Sequence, residues 1–112
     1  MIEKEEKRRL PRAEVTWPVT LFYEDEEFTG ESRNISQEGL FICCEKPLVL
    51  NKIYRLYIKP PYHKAIGVTG KVIWSDLYGI GGDNSTYGIG ICLMEFSEKD
   101  KKILEELVSV YL

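Results

Sequence analysis

Two short segments carry the side chains best suited to chemistry. The first is Lys7-Arg8-Arg9-Leu10-Pro11-Arg12. Pro11 fixes its own backbone and biases Leu10 towards an extended conformation, which disfavours a helix through the segment. Arg8 and Arg12, four apart, fall to one side of a helix or of an extended chain, with Arg9 displaced from them. Planar guanidiniums held close together grip phosphates bidentately, and they bind the O6/N7 edge of guanine or stack on its ring. On composition alone the segment is more simply a solvated basic tail. The second segment is Asn34-Ile35-Ser36-Gln37-Glu38-Gly39. Asparagine and serine two apart offer short polar side chains to the local backbone or to a ligand, and Gly39 permits a positive φ that returns the chain to a sheet. Taken alone, this is a good turn.

Other chemistry is sparse. His63, the one histidine, sits in the turn Pro60-Pro61-Tyr62-His63-Lys64 without partners for acid–base work, and an exposed loop position is the simpler role. Cys43 and Cys44 are adjacent on a strand, so their side chains point to opposite faces, and Cys92 is distant in sequence. No zinc site is expected, and most of these thiols are expected to act as small buried hydrophobes. The glycines of Tyr78-Gly79-Ile80-Gly81-Gly82 and Tyr87-Gly88-Ile89-Gly90 precede or enter a strand, where a phosphate loop would open a helix. Loop flexibility and close strand approach account for them. No metal or cofactor is expected, and an enzyme is the least supported class.

The elements that must position the two segments are mostly strands. Val15–Tyr23 is β-branched and aromatic with period-2 alternation, and Pro18 places it at an edge or a bulge because proline cannot donate to a ladder. Glu24–Glu27 is a turn. Further strands are expected over 28–35, 40–44, 53–59, 65–76 and 87–96, with Gly67 and Gly70 marking bends or bulges and 77–86 forming a flexible loop. From Ser97 the period changes to a helix: Ile103, Leu104, Leu107, Val108 and Tyr111 share one face, and charged residues take the other. The fold class is therefore all-β in the main, a six-stranded antiparallel barrel with a C-terminal α-helix covering one mouth.

Length and charge narrow the function classes. The 112 residues, 44% hydrophobic and 12% aromatic, suit one domain with a real core and exclude disorder for the bulk of the chain. No apolar run reaches membrane-spanning length and no secretory signal opens the chain, so a cytoplasmic protein without membrane insertion is expected. The odd number of cysteines agrees, and the two Asn-x-Ser/Thr tripeptides at Asn34 and Asn84 are then chance matches. Residues 1–12 hold five basic and three acidic side chains, a net +2, while the other 100 hold ten and fifteen, a net −5. An acidic body without a basic stripe across its sheet argues against a nucleic-acid polymer as partner.

Taken together, the two segments are more specific than either alone. Arg8-x-x-x-Arg12, followed after a strand by Asn34-x-Ser36-x-x-Gly39, resembles the signature of the PilZ domain family, bacterial receptors for cyclic di-GMP. The resemblance continues through Gly39-Leu40-Phe41-Ile42, Gly70-Lys71-Val72-Ile73-Trp74, Tyr87-Gly88-Ile89-Gly90-Ile91 and Met94-Glu95-Phe96, covering Arg8 to about Leu107. It implies a PilZ-type barrel that binds the dinucleotide on its outer surface without transforming it. By that resemblance Arg8 and Arg12 contact phosphates and guanine faces, with Arg9 auxiliary. Asn34 and Ser36 hydrogen-bond a guanine edge or a phosphate, and Gly39 lets the backbone approach. Arg33 is expected to be an exposed ladder charge. The implied organisation is a flexible basic arm over 1–12 and a barrel domain over 13–112, with its helix at about 97–111. The arm is expected to fold over the ligand and so regulate a downstream protein partner. Two alternatives remain at this level: a ligand-free PilZ-like adaptor and a small nucleic-acid-binding barrel.

Overall fold

Alternation of apolar and polar side chains gives each strand one face for an interior and one for solvent. The computed structural model, which describes residues 12–77 and 86–112, contains six strands and a helix. They are β1 (Pro18–Tyr23), β2 (Glu26–Ile35), β3 (Gly39–Cys44), β4 (Ile53–Ile58), β5 (Ile66–Leu77), β6 (Tyr87–Phe96) and α1 (Glu98–Val110). Strand order is β1-β2-β3-β6-β5-β4 in a closed barrel, and every pairing is antiparallel. Val19, Leu21, Ile42, Leu56, Ile58, Val68, Ile89 and Ile91 fill the interior. This is the barrel the sequence predicts. The expected loop over 77–86 falls outside the described residues except at its ends, where Leu77 closes β5 and Thr86 precedes β6.

Two details correct the expectation for the first strand. Closure leaves β1 without a free edge: it pairs with both β2 and β4. Pro18 is tolerated as the first strand residue, where its carbonyl accepts from the Lys59 N–H at 2.9 Å and the missing N–H interrupts no ladder. The stretch before it is extended but lies outside the ladder. Ala13, Val15 and Trp17 are buried, yet Ser32 of β2 takes over the backbone bonding there. Its buried hydroxyl accepts from the Trp17 N–H and donates to the Val15 carbonyl. The β1–β2 turn is also tighter than four residues, with only Glu24 and Asp25 between the strands and Glu24 at φ 53°.

The helix begins where the sequence places it. The Ser97 hydroxyl accepts from the Asp100 N–H at 3.0 Å, and Glu98 and Asp100 complement the positive end of the helix. Leu104 and Val108 join the barrel's interior cluster, with Ile103 and Leu107 packed against it, and the Tyr111 ring meets Trp17 edge-on at 5.8 Å.

Of the three thiols, Cys43 and Cys44 are buried and Cys92 is exposed. Burial, and secondarily the neighbouring Cys43, pushes the Cys44 thiol from its ordinary 9.0 up to about 12. Its folded pKa is thus raised above the unfolded one. The contribution to stability is complete below pH 9.0 and is lost as pH rises towards about 12. Urea unfolding across that window is expected to show a falling midpoint, and Cys44→Ala a shallower fall.

Candidate functional site

Arg12 is held at the barrel by the residue after it. Ala13 forms a two-bond bridge with Ile35, at 2.8 and 2.9 Å, which fixes where the N-terminal segment meets β2. From there the exposed Arg12 Nη1 donates to Asn34 Oδ1 at 2.8 Å. Asn34 owes its position to a bulge. Ser32 pairs with Ile42 but Asn34 pairs with Phe41, so Arg33 is an extra residue in β2. In an unbroken strand Asn34 would share the interior face with Ser32; the bulge turns it outward.

A second bulge does the same in β5. Val72 is interior and pairs with Ile91, whereas Trp74 pairs with Gly90, so Ile73 is the extra residue and Trp74 emerges 45% exposed. The two displaced side chains fall in one row across four strands: Asn34 opposite Phe41, Phe41 opposite Gly90, and Gly90 opposite Trp74. Phe41 and Trp74 lie side by side over β6, their centroids 5.7 Å apart and planes inclined by 34°. Glycine makes this possible. A Cβ at Gly88 would sit 2.8 Å from Phe41 Cζ and 3.2 Å from Trp74 Cζ3, and one at Gly90 would sit 3.3 Å from Trp74 Cβ. The outer face thus carries a guanidinium, a carboxamide and an aromatic platform in sequence.

The turn from β2 to β3 completes the surroundings. Ser36, 3% exposed, accepts from the N–H groups of Glu38 and Gly39 at 3.2 Å each, and its N–H donates to the Gly39 carbonyl. Its hydroxyl therefore organises the turn, with one proton left to donate. Gly39 is not in the left-handed region, contrary to the expectation that it supplies a positive φ. What it supplies is space: a Cβ there would lie 3.3 Å from the Ile91 carbonyl oxygen and 3.9 Å from Arg12 Nη2.

Arg12, Asn34, Ser36 and Gly39 are thus brought together, while Arg8 and Arg9 lie outside the described residues. Arg33 is exposed, and its Nε donates to Cys43 Sγ at 3.2 Å. Sequence reasoning missed Phe41 and Trp74. The available signal was the outward Gly88-x-Gly90 pair on β6, read as close strand approach; two rings occupy the space instead. His63 is exposed, as expected. Among the described residues no group of three or more His, Cys, Asp or Glu could hold a metal ion, and no helix is long and apolar enough to cross a membrane.

Comparison with known proteins identifies the architecture. The PilZ domain model matches residues 6–109. The PilZ domain of YcgR from Escherichia coli, solved with c-di-GMP, superposes with a TM-score of 0.77 at 12% identity, over 94% of this chain and 91% of that one. The inhibitor of motility MotI/DgrA of Bacillus subtilis gives 0.74 at 18% identity and 93% coverage, and this chain spans 50% of its length. The PilZ domain of CeSA from a cellulose synthesizing bacterium gives 0.61 at 17% identity, over 89% and 96% of the two chains. No curated protein matches by sequence. With a family model spanning nearly all its length and a closed six-stranded barrel capped by a C-terminal helix, the chain belongs to the PilZ domain family.

Proposed function

We propose that the chain is a non-enzymatic receptor for cyclic di-GMP, binding it on the outer face of β2, β3, β6 and β5. The observation that carries this reading is the row Arg12, Asn34, Phe41, Trp74. The ligand has two anionic phosphates and two guanines, so a site for it needs cationic donors next to a flat apolar surface. Arg12 and Asn34 supply the first, and Phe41 with Trp74 the second. Arg8 and Arg9 reach the ligand from the arm, Ser36 donates its remaining proton, and Gly39 keeps the backbone low beside Arg12.

In this reading the arm before Arg12 folds over the bound dinucleotide and presents a new surface to a partner protein. Slower amide exchange in the arm on saturation is the expected sign. Two relatives support a regulatory role by what they are: an inhibitor of motility in Bacillus subtilis and MrkH of K. pneumonia, a c-di-GMP-dependent transcription regulatory factor. Each is about twice the length of this chain, which spans 50% of either.

Calorimetric titration with cyclic di-GMP, GTP and a short single-stranded oligonucleotide tests the reading. Heat with cyclic di-GMP alone supports it; binding of none favours a ligand-free adaptor, and binding of the oligonucleotide a nucleic-acid role. The platform has its own test. Stacking of a base on an aromatic side chain contributes about 1–3 kcal/mol, so Trp74→Ala is expected to weaken binding by roughly fivefold to a hundredfold or more. Gly88→Val, which drives a side chain into both rings, is expected to reduce affinity similarly while leaving Arg12 and Asn34 in place.

A further inference from the structure

Between Glu45 and Asp76 the chain holds six basic side chains, one histidine and no acidic one. The net count of the acidic body conceals this, because the carboxylates gather before and after. Folding turns the segment into a surface. β4 and β5 are neighbours, and alternation sends Arg55, Tyr57 and Lys71 outward, with Lys52, Lys59 and Lys64 exposed at the strand ends. Among the described residues none of these cations is held in an ion pair. The expectation that no basic stripe crosses the sheet is corrected here.

Aromatic side chains are built into the same face. The Arg55 guanidinium lies over the Tyr57 ring at 5.4 Å, its Nε donates to the Tyr57 hydroxyl at 3.2 Å, and Phe22 meets that ring edge-on at 5.9 Å. The ring lies flat because Gly67 opposes it, where a Cβ would be 3.3 Å from Tyr57 Cε1. Beyond them, in the β4–β5 turn, Tyr62 is wholly exposed and holds φ 63°. Left-handed backbone is uncommon for so bulky a residue, and here it leaves the ring entirely to solvent.

We propose that this face docks an acidic segment of a partner protein in which carboxylates flank an aromatic or aliphatic side chain. Charge complementarity points to the carboxylates, and the exposed Arg, Tyr and Phe are the residue types that dominate protein interfaces. The strip's borders select against longer polyanions. Glu27 and Glu31 lie across β1, opposite Phe22 and Pro18, and Glu95 lies opposite Thr69 on the far side. A nucleic acid or an anionic bilayer extending past the strip meets those carboxylates, whereas a peptide about 20 Å long, the length of β4, does not. The face stands apart from the dinucleotide surface, the two sharing only β5, and does not depend on that assignment.

The test uses the full chain and three probes: a short synthetic peptide with a central Phe between Asp and Glu residues, a single-stranded oligonucleotide and phosphatidylglycerol vesicles. Titrating the peptide into isotope-labelled protein is expected to shift amides of 53–58 and 66–71. Fluorescence anisotropy is expected to show binding that weakens with salt and falls about tenfold or more in Arg55→Glu and Tyr57→Ala. Tyr62→Asn, which tolerates the same backbone, is expected to weaken binding without lowering the thermal midpoint. Cyclic di-GMP affinity stays unchanged in all three variants, which separates failure of this proposal from failure of the receptor reading. The proposal is overturned if amide shifts fall elsewhere, or if oligonucleotide or vesicles bind this face more tightly than the peptide. It is equally overturned if sedimentation shows a dimer that Arg55→Glu dissolves.

Discussion

Arg12→Ala is expected to weaken cyclic di-GMP binding by roughly thirtyfold to several-thousandfold, the equivalent of about 2–5 kcal/mol for losing one partner of a desolvated charge pair. The free protein positions the group before ligand arrives. The Ala13–Ile35 bridge fixes the backbone one residue away, and Asn34 Oδ1 holds one guanidinium nitrogen at 2.8 Å, leaving the other donors for phosphate or guanine. A guanidinium already oriented loses less entropy on binding than a free one. Asn34→Ala is therefore expected to weaken binding partly through Arg12, and the double variant to lose less than the sum of the single losses. Calorimetry of the four proteins measures that coupling. Arg33→Ala serves as the comparison: its Nε is engaged with Cys43 on the outer face of the bulge, and its loss is expected to cost little affinity. Equal small losses at Arg12 and Arg33 would place the ligand elsewhere.

Tyr54→Ala is expected to cost about 3–5 kcal/mol of stability, the range for deleting a large buried aromatic side chain. Tyr54 is 1% exposed at the start of β4, and its ring packs against Tyr23 at 5.3 Å and Phe28 at 5.8 Å. Its hydroxyl accepts from the Val49 N–H at 3.0 Å, so truncation also orphans a donor in the loop before β4. A domain of this size has a total stability of about 5–15 kcal/mol, and the variant is expected to be marginal at physiological temperature. Tyr54→Phe keeps the rings and loses one hydrogen bond, for a cost of about 1 kcal/mol. Urea denaturation of both variants separates packing from hydrogen bonding.

The strands were legible because one face of each is buried, and alternation is a local property: Ile53 to Ile58 shows it residue by residue. The helix was legible for the same reason, down to the Ser97 cap. Which strands meet to close the barrel was not, since the pairing of Val19 with Ile58 joins residues far apart in sequence, and Pro18 suggested an edge. In the candidate site, Asn34, Ser36 and Gly39 stood out by spacing, but the part played by Gly39 did not. Space and φ freedom are both properties of glycine, and only the neighbouring Ile91 carbonyl decides between them. Trp74 was hidden by a bulge, and with it the neighbour that makes outward-facing Phe41 part of a platform. Strict alternation from the interior Val72 places Trp74 inside the barrel, and nothing local announces that Ile73 shifts the count. The basic segment from Lys46 to Lys71 was visible in the sequence, but averaging over the whole body removed it.

Those two bulges make the outer surface a matter of parity. Arg33 and Ile73 each add one residue with no partner opposite, and taking that residue out of the alternation is what keeps the next side chain outward. Pairing straight through either one would put Asn34 on the face of Ser32, or Trp74 on the face of Val72, with every residue of the signature still in the chain. A relative can therefore keep the letters of the motif and lose the surface through a change of register alone. For that reason, how β2 pairs with β3 and β5 with β6 says as much about this surface in such barrels as the motif residues themselves.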